Sequence, residues 1–535
     1  MSINHLHTPL TIHDLPLMVI DNILHLAAPR DGPPLHLSHA CRHWSDLCRD
    51  PSFWRNISTG SSIKITELAL TRSATQSLNV FILNNGRDHP HRLRRMVETI
   101  KQEIHRIESI ECLAFGNELE YACRGIKFSH ASAPRLRDLR VEFFEDNALL
   151  RAMKRVRAPA LERAVVDTVG ESSPLLFRLL TGAHLRCLSL TELNDITIPE
   201  LHEHLSACPH LQDLSLSRGD FASAPLDSAH PTRLSELTYL SVTLQPVDLA
   251  DFLDGLELPA LEGTLIRPCV NEEDDSVLRH TLCLQEDRVQ HLLASILRTI
   301  AVPLHLRQCT RINFREALTF HGAGTMLRFA GHTSDTCIVH IAFDSHYWRK
   351  SGLLECAREI MYQIVACHPT VQTIDFMVPT VAFRTGWTIK RRYPAYPRSK
   401  FAKKEGDALA AMLESGSRDA SGVPLPLLTS ISLSCVSDAL QPSTMQAISA
   451  SLKFFRDKAG HDIEFNLAIQ ELRRSLKDSD SEVGWVDTPP NEEDARNWEV
   501  WPQPEVTESD FMEPPRPDLR PLYVPGVHLS VAWIR

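Results

Sequence analysis

A chain of 535 residues with 43% hydrophobic content can bury a large core, and its length fits two to four domains. Thirteen cysteines without a Cys-x-x-Cys pair exclude a disulfide framework, no basic leader meets an apolar run, and no apolar stretch reaches the roughly 18 residues of a bilayer span; a cytoplasmic or nuclear protein with no membrane contact is expected. The net charge of −11 arises wholly between Asp478 and Asp518, so the remaining body is neutral and has no overall pull on nucleic acid phosphates.

The first elements fall between Leu15 and Ile57. Val19, Ile20, Ile23, Leu24, Leu26 and Ala27 follow helical spacing, with Pro16 in the first turn, where its missing N–H is no loss. Pro29 and the turn Asp31-Gly32-Pro33-Pro34 stop that helix. The spacing predicts a second helix over Leu37–Leu47, with Leu37, Ala40, Cys41, Trp44 and Leu47 on one side; Asp50-Pro51 breaks it before a short third turn holding Phe53 and Trp54. About 45 residues cannot bury that much apolar surface alone, so the segment reads as built for docking.

These residues resemble the F-box family, whose pattern is a Leu-Pro opening, an Ile/Leu-rich helix, a Val/Ala-Cys-x-x-Trp core and a trailing Asp-Pro-x-x-Trp. Here the pattern reads Leu15-Pro16, Ile20/Ile23/Leu24, Ala40-Cys41-Arg42-His43-Trp44 and Asp50-Pro51-Ser52-Phe53-Trp54. Leu17-Met18 depart from it: the family usually has Pro or an acidic residue followed by Glu there, so the first-turn carboxylate that favours a helix N-terminus is absent.

Beyond the link Thr71–Leu83 comes a weak repeat. The frame Leu-x-x-Leu-x-Leu fits at Leu136, Leu161, Leu185, Leu211, Leu237 and Leu261, at intervals of 25, 24, 26, 26 and 24 residues. Ile107 precedes them by 29, and Val371 and Leu428 repeat the frame later. A fixed period in the twenties is the signature of leucine-rich-repeat solenoids, one strand and one return segment per unit. Helical spacing in the returns supports this: Ile198, Leu201, Leu205 and Cys208; Leu249, Phe252, Leu253 and Leu256; Val289, Leu292, Leu293, Ile296, Leu297 and Ile300; and Ile360, Met361 and Ile364. The asparagine such repeats carry after the strand is missing in most units; Asn194 sits one place late. The layout resembles the degenerate repeats found behind F-boxes in proteins of mushroom-forming fungi.

Between Pro268 and Pro369 the register fades. Asn271–Asp275 reads as a surface loop, and strand-like runs at Leu304-His305-Leu306, Met326–Phe329 and Cys337–Ile341 imply a continuing sheet with longer insertions, or a break between two half-solenoids. The basic cluster of Lys390, Arg391, Arg392, Lys400, Lys403 and Lys404 reads as a solvated loop. From Lys477 the chain turns acidic and proline-rich, thirteen acids against two bases between Asp478 and Asp518, and is expected to be disordered. Trp485, Trp498 and Trp501 either anchor a partner or pack back on the solenoid. His528–Ile534 alternates as an edge strand.

Motifs for chemistry are absent: no phosphate loop, no nucleophile elbow, no zinc helix. His202 and His204, two apart on a helix, cannot easily chelate one metal and read as a solvated face. Gly322-Ala323-Gly324, without a third glycine and a following helix, reads as a turn. Cys41, expected on a crowded apolar helix face, reads as an inert thiol.

The reading is therefore an α/β protein: a short N-terminal α-helical F-box in residues 1–60 (about 12–57), a link and cap in 61–106, a leucine-rich-repeat-like strand/helix solenoid with a parallel sheet in 107–475, an acidic disordered segment in 476–524 and an edge strand in 525–535. The resemblance implies a substrate receptor. The box would bind a Skp-family adaptor and through it a cullin scaffold, and the solenoid would bind a protein substrate, with no catalytic residue, cofactor or metal of its own. Implied adaptor contacts are Leu15, Pro16, Ile20, Ile23, Leu24, Leu37, Cys41, Trp44 and Trp54; some must form the box's own core. The alternative is an interaction scaffold outside ubiquitination. Substrate-facing strand positions include Arg137, Asp138, Arg186, Gln212 and Asp213, which are chemically mixed.

Overall fold

The computed structural model describes residues 19–20, 23, 35–40, 42–83, 90–114, 118–126, 128, 132–143, 148–153, 155–167, 184–194, 196–222, 231–268, 286–307, 309–318, 325–333, 337–344, 370–377, 426–436, 440, 442–470 and 517–534. The chain divides into two units, Met1–Leu261 with Cys269–Asn271, and Glu262–Pro268 with Glu272–Arg535.

The first unit opens with helical residues at Val19, Ile20 and Ile23. The helix expected over Leu37–Leu47 is instead two pieces, α1 (Leu35–Ser38) and α2 (Arg42–Leu47), parted by a turn at the exposed His39-Ala40. A 3-10 turn follows at Pro51–Trp54. Asp50 starts it by accepting the Ser52 N–H at 2.8 Å, and Pro51 fits the first position, where no N–H is needed.

The sheet begins at once. β1 (Asn56–Ser58) follows Trp54 with one residue between, and then come α3 (Ile63–Arg72), β2 (Leu78–Leu83) and α4 (Pro90–Glu103). Next are β3 (Ile107–Ala114), α5 (Glu118–Cys123), β4 (Asp138–Phe143), α6 (Ala148–Met153), β5 (Arg163–Val166), β6 (Cys187–Asn194), α7 (Ile198–Ser206) and β7 (Asp213–Asp220). The unit closes with β8 (Thr232–Arg233), β9 (Tyr239–Leu244), α8 (Pro246–Asp254) and β10 (Leu256–Glu257). Strands β1 to β7 and then β9 lie side by side in chain order, every pair parallel. β8 and β10 form a separate parallel pair.

One local pattern repeats. The strands β4, β5, β6, β7 and β9 each start two residues after the first leucine of their frame, and Leu136, Leu161, Leu185, Leu211 and Leu237 are all fully buried. The residue between that leucine and the strand donates its N–H to its counterpart one unit back: Glu162 to Arg137, Arg186 to Glu162, Gln212 to Arg186 and Thr238 to Gln212, at 2.7–2.9 Å. Within the strands the apolar frame positions, such as Leu139 and Val141, Leu188 and Leu190, and Leu214 and Leu216, point into the core. The alternate residues are half-exposed on the other face, as the period of two requires.

The second unit contains β11 (Gly263–Pro268), α9 (Glu286–Arg307), β12 (Arg311–Leu318), β13 (Thr325–His332), β14 (Cys337–Asp344), β15 (Thr373–Met377), β16 (Ser430–Val436), α10 (Pro442–Ala459), β17 (Ile463–Gln470) and β18 (Val527–Ile534). The order is β11-β14-β13-β12-β15-β16-β17-β18. β13 runs antiparallel to both neighbours and the remaining pairs are parallel, so the faded register between Pro268 and Pro369 corresponds to inserted hairpins. Leu304-His305-Leu306, expected as a strand, is the last turn of α9, whose helical run continues through Pro303. The frame bond returns here, from Gln372 to Thr310, Thr429 to Gln372 and Glu464 to Thr429. The return residues Ile360, Met361 and Ile364, the loop Asn271–Asp275, Gly322-Ala323-Gly324, the basic cluster at 390–404 and Trp485, Trp498 and Trp501 lie outside the described residues.

Candidate functional site

The box ends on an aromatic pair, Phe53 and Trp54, that faces inward. Trp54 is fully buried, and its indole N–H donates to the Cys48 carbonyl at 2.6 Å. The guanidinium of Arg72, on α3, stands 4.3 Å from the centroid of the indole ring. Ile20 and Ile57 are buried as well. Ile23 and Trp44 are half-buried, and Leu37 is in α1. Leu15, Pro16, Leu24 and Cys41 lie outside the described residues. Of the nine residues expected to touch an adaptor, Ile20 and Trp54 are thus interior residues of this chain.

Polar contacts fix the box to the sheet. Arg55 reaches Glu108 with Nη2 at 2.5 Å and the Ser77 carbonyl with Nε at 3.0 Å. Asn79 donates its amide to Asn56 Oδ1 at 2.9 Å, and Ser109 donates its hydroxyl to Asn79 Oδ1 at 3.0 Å, which ties β1, β2 and β3 in a row. Behind them Arg106 is buried. Its guanidinium donates to the carbonyls of Leu70, Ala74 and Gln76, to the Ser73 hydroxyl and to Glu103, and so satisfies one last-turn carbonyl of α3 and two in the turn that follows it. Nothing in the sequence singles out Arg106; a His105-Arg106 pair between Ile104 and Ile107 reads as surface until the end of α3 is placed.

The half-exposed sheet face of this unit carries aligned polar rows. Ser109, Asp138, Arg163, Cys187, Asp213 and Tyr239 stand at one register, and Glu111, Arg140, Val165, Ser189, Ser215 and Ser241 two residues further on. Arg140 holds Glu142 with Nε at 2.7 Å and Nη2 at 2.5 Å, and lies 3.8 Å from Glu111. The bond to Glu142 raises its pKa above the usual arginine value. Asp138 and Asp213, expected to face a substrate, are on this face; Arg137, Arg186 and Gln212 stand in the turns just before their strands. At the far end of β6 and β7, Glu192 and Arg218 both take a left-handed backbone, φ 56° and 57°, side by side. Two strained non-glycine residues at one register turn the strand ends together.

Reactive groups are poorly served. Burial pushes the thiols of Cys48, Cys112, Cys187, Cys208, Cys309 and Cys337 above the ordinary cysteine value, Cys208 and Cys309 to about 11, which keeps them protonated. His332 lies 3.0 Å from the Asn313 amide, opposite Cys337 on the next strand. That thiol, however, donates to the Val339 carbonyl at 3.4 Å. Among the described residues no group of three His, Cys, Asp or Glu could hold a metal. His202 is not on a solvated face: it is buried and stacked on Phe252 of α8, ring centroids 5.3 Å apart, and burial lowers its pKa to about 4.

A family model described as F-box-like matches residues 12–59, the segment that runs from before Leu15-Pro16 to just beyond β1. It spans under a tenth of the chain. No curated protein matches the sequence.

Proposed function

We propose that this chain, with its F-box-like domain at residues 12–59, is the substrate receptor of a Skp/cullin-type ubiquitin ligase. The box binds a Skp-family adaptor and through it the cullin scaffold. The strand-and-return units form a leucine-rich-repeat-like solenoid whose half-exposed sheet face holds a target protein. The chain itself does no chemistry. It holds the target's lysines near a ubiquitin-charged conjugating enzyme, which raises their effective concentration without a covalent step in this chain.

The match at residues 12–59 carries this reading. Two physical observations support it. Arg55 and Asn56 tie the end of the box to β2 and β3, an arrangement suited to holding a target on that sheet near the adaptor. The recurring backbone bond from unit to unit is what a solenoid needs for its strands to stay in register. Leu15, Pro16, Ile23, Leu24, Leu37, Cys41 and Trp44 are the proposed adaptor contacts, and Ile20 and Trp54 act by holding the box in shape.

Size-exclusion chromatography of the full chain with a purified Skp-family adaptor tests the reading. Co-elution supports it; independent peaks overturn it. Independent peaks would favour the second reading, an interaction scaffold outside ubiquitination, for which Leu17-Met18 in place of the usual acidic residues is the motivating feature.

A further inference from the structure

One carboxylate on the half-exposed sheet face of the first unit lacks a partner. Asp213 opens β7 and is half-buried, and among the described residues no group hydrogen-bonds its carboxylate. Burial raises its pKa above the ordinary aspartate value, although Arg163 pulls the other way. That arginine stands two strands off at the same register, with Cys187 between. The other arginine of these rows, Arg140, is held by Glu142 and lies 3.8 Å from Glu111. The acids Glu111, Asp138, Glu142 and Asp213 share the face with these two arginines, and the missing cation is at Asp213. A half-desolvated carboxylate without a hydrogen bond is a cost to the folded chain that a docked cation would remove.

Tyr239 stands beside it. The two residues are Cα partners on β7 and β9, and neighbouring strands are about 4.8 Å apart, so carboxylate and ring can touch one guest group. Tyr239 is 41% exposed, which leaves its ring open to such a guest. A carboxylate next to a phenol ring suits a planar guanidinium, which bonds the acid through two N–H groups and lies on the ring; an ammonium has no flat face to stack. Around the pair the face is low. Ser189, Ser215 and Ser241 stand one row on and Thr191, Ser217 and Thr243 the next, all half-exposed. These short side chains let a partner's backbone come close and offer hydroxyls to bond it.

We propose that Asp213 and Tyr239 form the recognition point for an arginine side chain on an exposed segment of the target protein. The guanidinium bonds the Asp213 carboxylate and stacks on Tyr239, while the segment's backbone lies over the serine and threonine rows. An acid at the same place in the segment meets like charge and is rejected. The inference rests on the substrate-receptor reading and adds the feature by which a target is chosen.

The test selects a display library of random twelve-residue peptides on the full chain and on its Asp213→Asn, Asp213→Arg and Tyr239→Leu variants. On the native chain arginine is expected to be enriched at least tenfold over the input at one peptide position, and ahead of lysine. Asp213→Asn should lose that enrichment with its thermal midpoint unchanged, because the carboxylate it replaces holds no hydrogen bond. Asp213→Arg should select aspartate or glutamate instead, a gain that misfolding cannot produce. Tyr239→Leu should narrow the margin of arginine over lysine. No arginine enrichment on the native chain, the same enrichment on Asp213→Asn, or equal selection of lysine and arginine by the native chain would each overturn the proposal. Adaptor co-elution, measured on the same variants, depends on the box alone. Its failure with arginine selection intact removes the ubiquitination reading, whereas lost selection with co-elution intact removes only this site.

Discussion

Arg72 lays its guanidinium over the indole of Trp54, 4.3 Å from the ring centroid, so the first helix after the box covers the last aromatic of the box. Trp54→Ala removes a fully buried indole and the bond to the Cys48 carbonyl. It is expected to lower stability by about 3–5 kcal/mol, against about 0.5–1 kcal/mol for Arg72→Ala. Chemical denaturation measures both; similar losses for the two variants would show that the indole is not a keystone of this corner.

Arg106→Leu is expected to cost about 3 kcal/mol, because the carbonyls of Leu70, Ala74 and Gln76 and the carboxylate of Glu103 lose their shared donor at once. Hydrogen exchange should show the damage locally, as faster exchange at the end of α3 and in β2. Unchanged exchange there would mean that water replaces the guanidinium without loss.

The pH dependence has a definite sign. His202 is neutral in the folded chain because burial holds its pKa at about 4, whereas an unfolded histidine titrates at 6.5. As pH falls, the unfolded chain takes up its proton first, so this stabilisation is full above about pH 6.5 and is lost between there and about pH 4. At about 1.4 kcal/mol per pH unit the loss is on the order of 3 kcal/mol. His202→Leu should flatten the acid limb of a stability profile across that window; an unaltered limb would assign it to other groups.

Gly255 closes α8 against the same imidazole. A β-carbon there would stand 2.5 Å from His202 Nε2, with the backbone φ an ordinary −77°. The space is therefore the constraint. Gly255→Ala should destabilise by about 1–3 kcal/mol in the native chain and be nearly neutral in a His202→Ala background, a coupling that a double-mutant cycle reads directly.

Much of the fold was legible because burial and period coincide. Leu136, Leu161, Leu185, Leu211 and Leu237 recur at near-constant spacing because each must fill the same interior place in successive units, and the strand follows each by two residues. Where that frame does not precede a strand, only plain alternation is left to read, and it is enough for Met326–Phe329, Cys337–Ile341 and His528–Ile534, which lie in β13, β14 and β18. β1 and β2 start the sheet at the box itself, but β1 was read as part of the helical box and β2 as part of the link. The antiparallel strand β13 breaks the period, so the region around it could be read as a sheet with insertions but not assigned a strand order. Leu304-His305-Leu306 shows that a short apolar alternation cannot separate a strand from the end of a helix. At the box, Trp54 and Trp44 looked alike in sequence; only the placement of α3 and Arg72 makes one of them interior. His202 was misread for the same reason, since the partner that buries it, Phe252, is fifty residues away.

The measurement that bears most directly on the account is a titration of purified Skp-family adaptor into the full chain and into its Leu15→Ala/Pro16→Ala variant. The account predicts saturable binding to the native chain and at least a tenfold loss in the variant, with the thermal unfolding midpoint unchanged. Equal affinities, or no binding to the native chain, would contradict it.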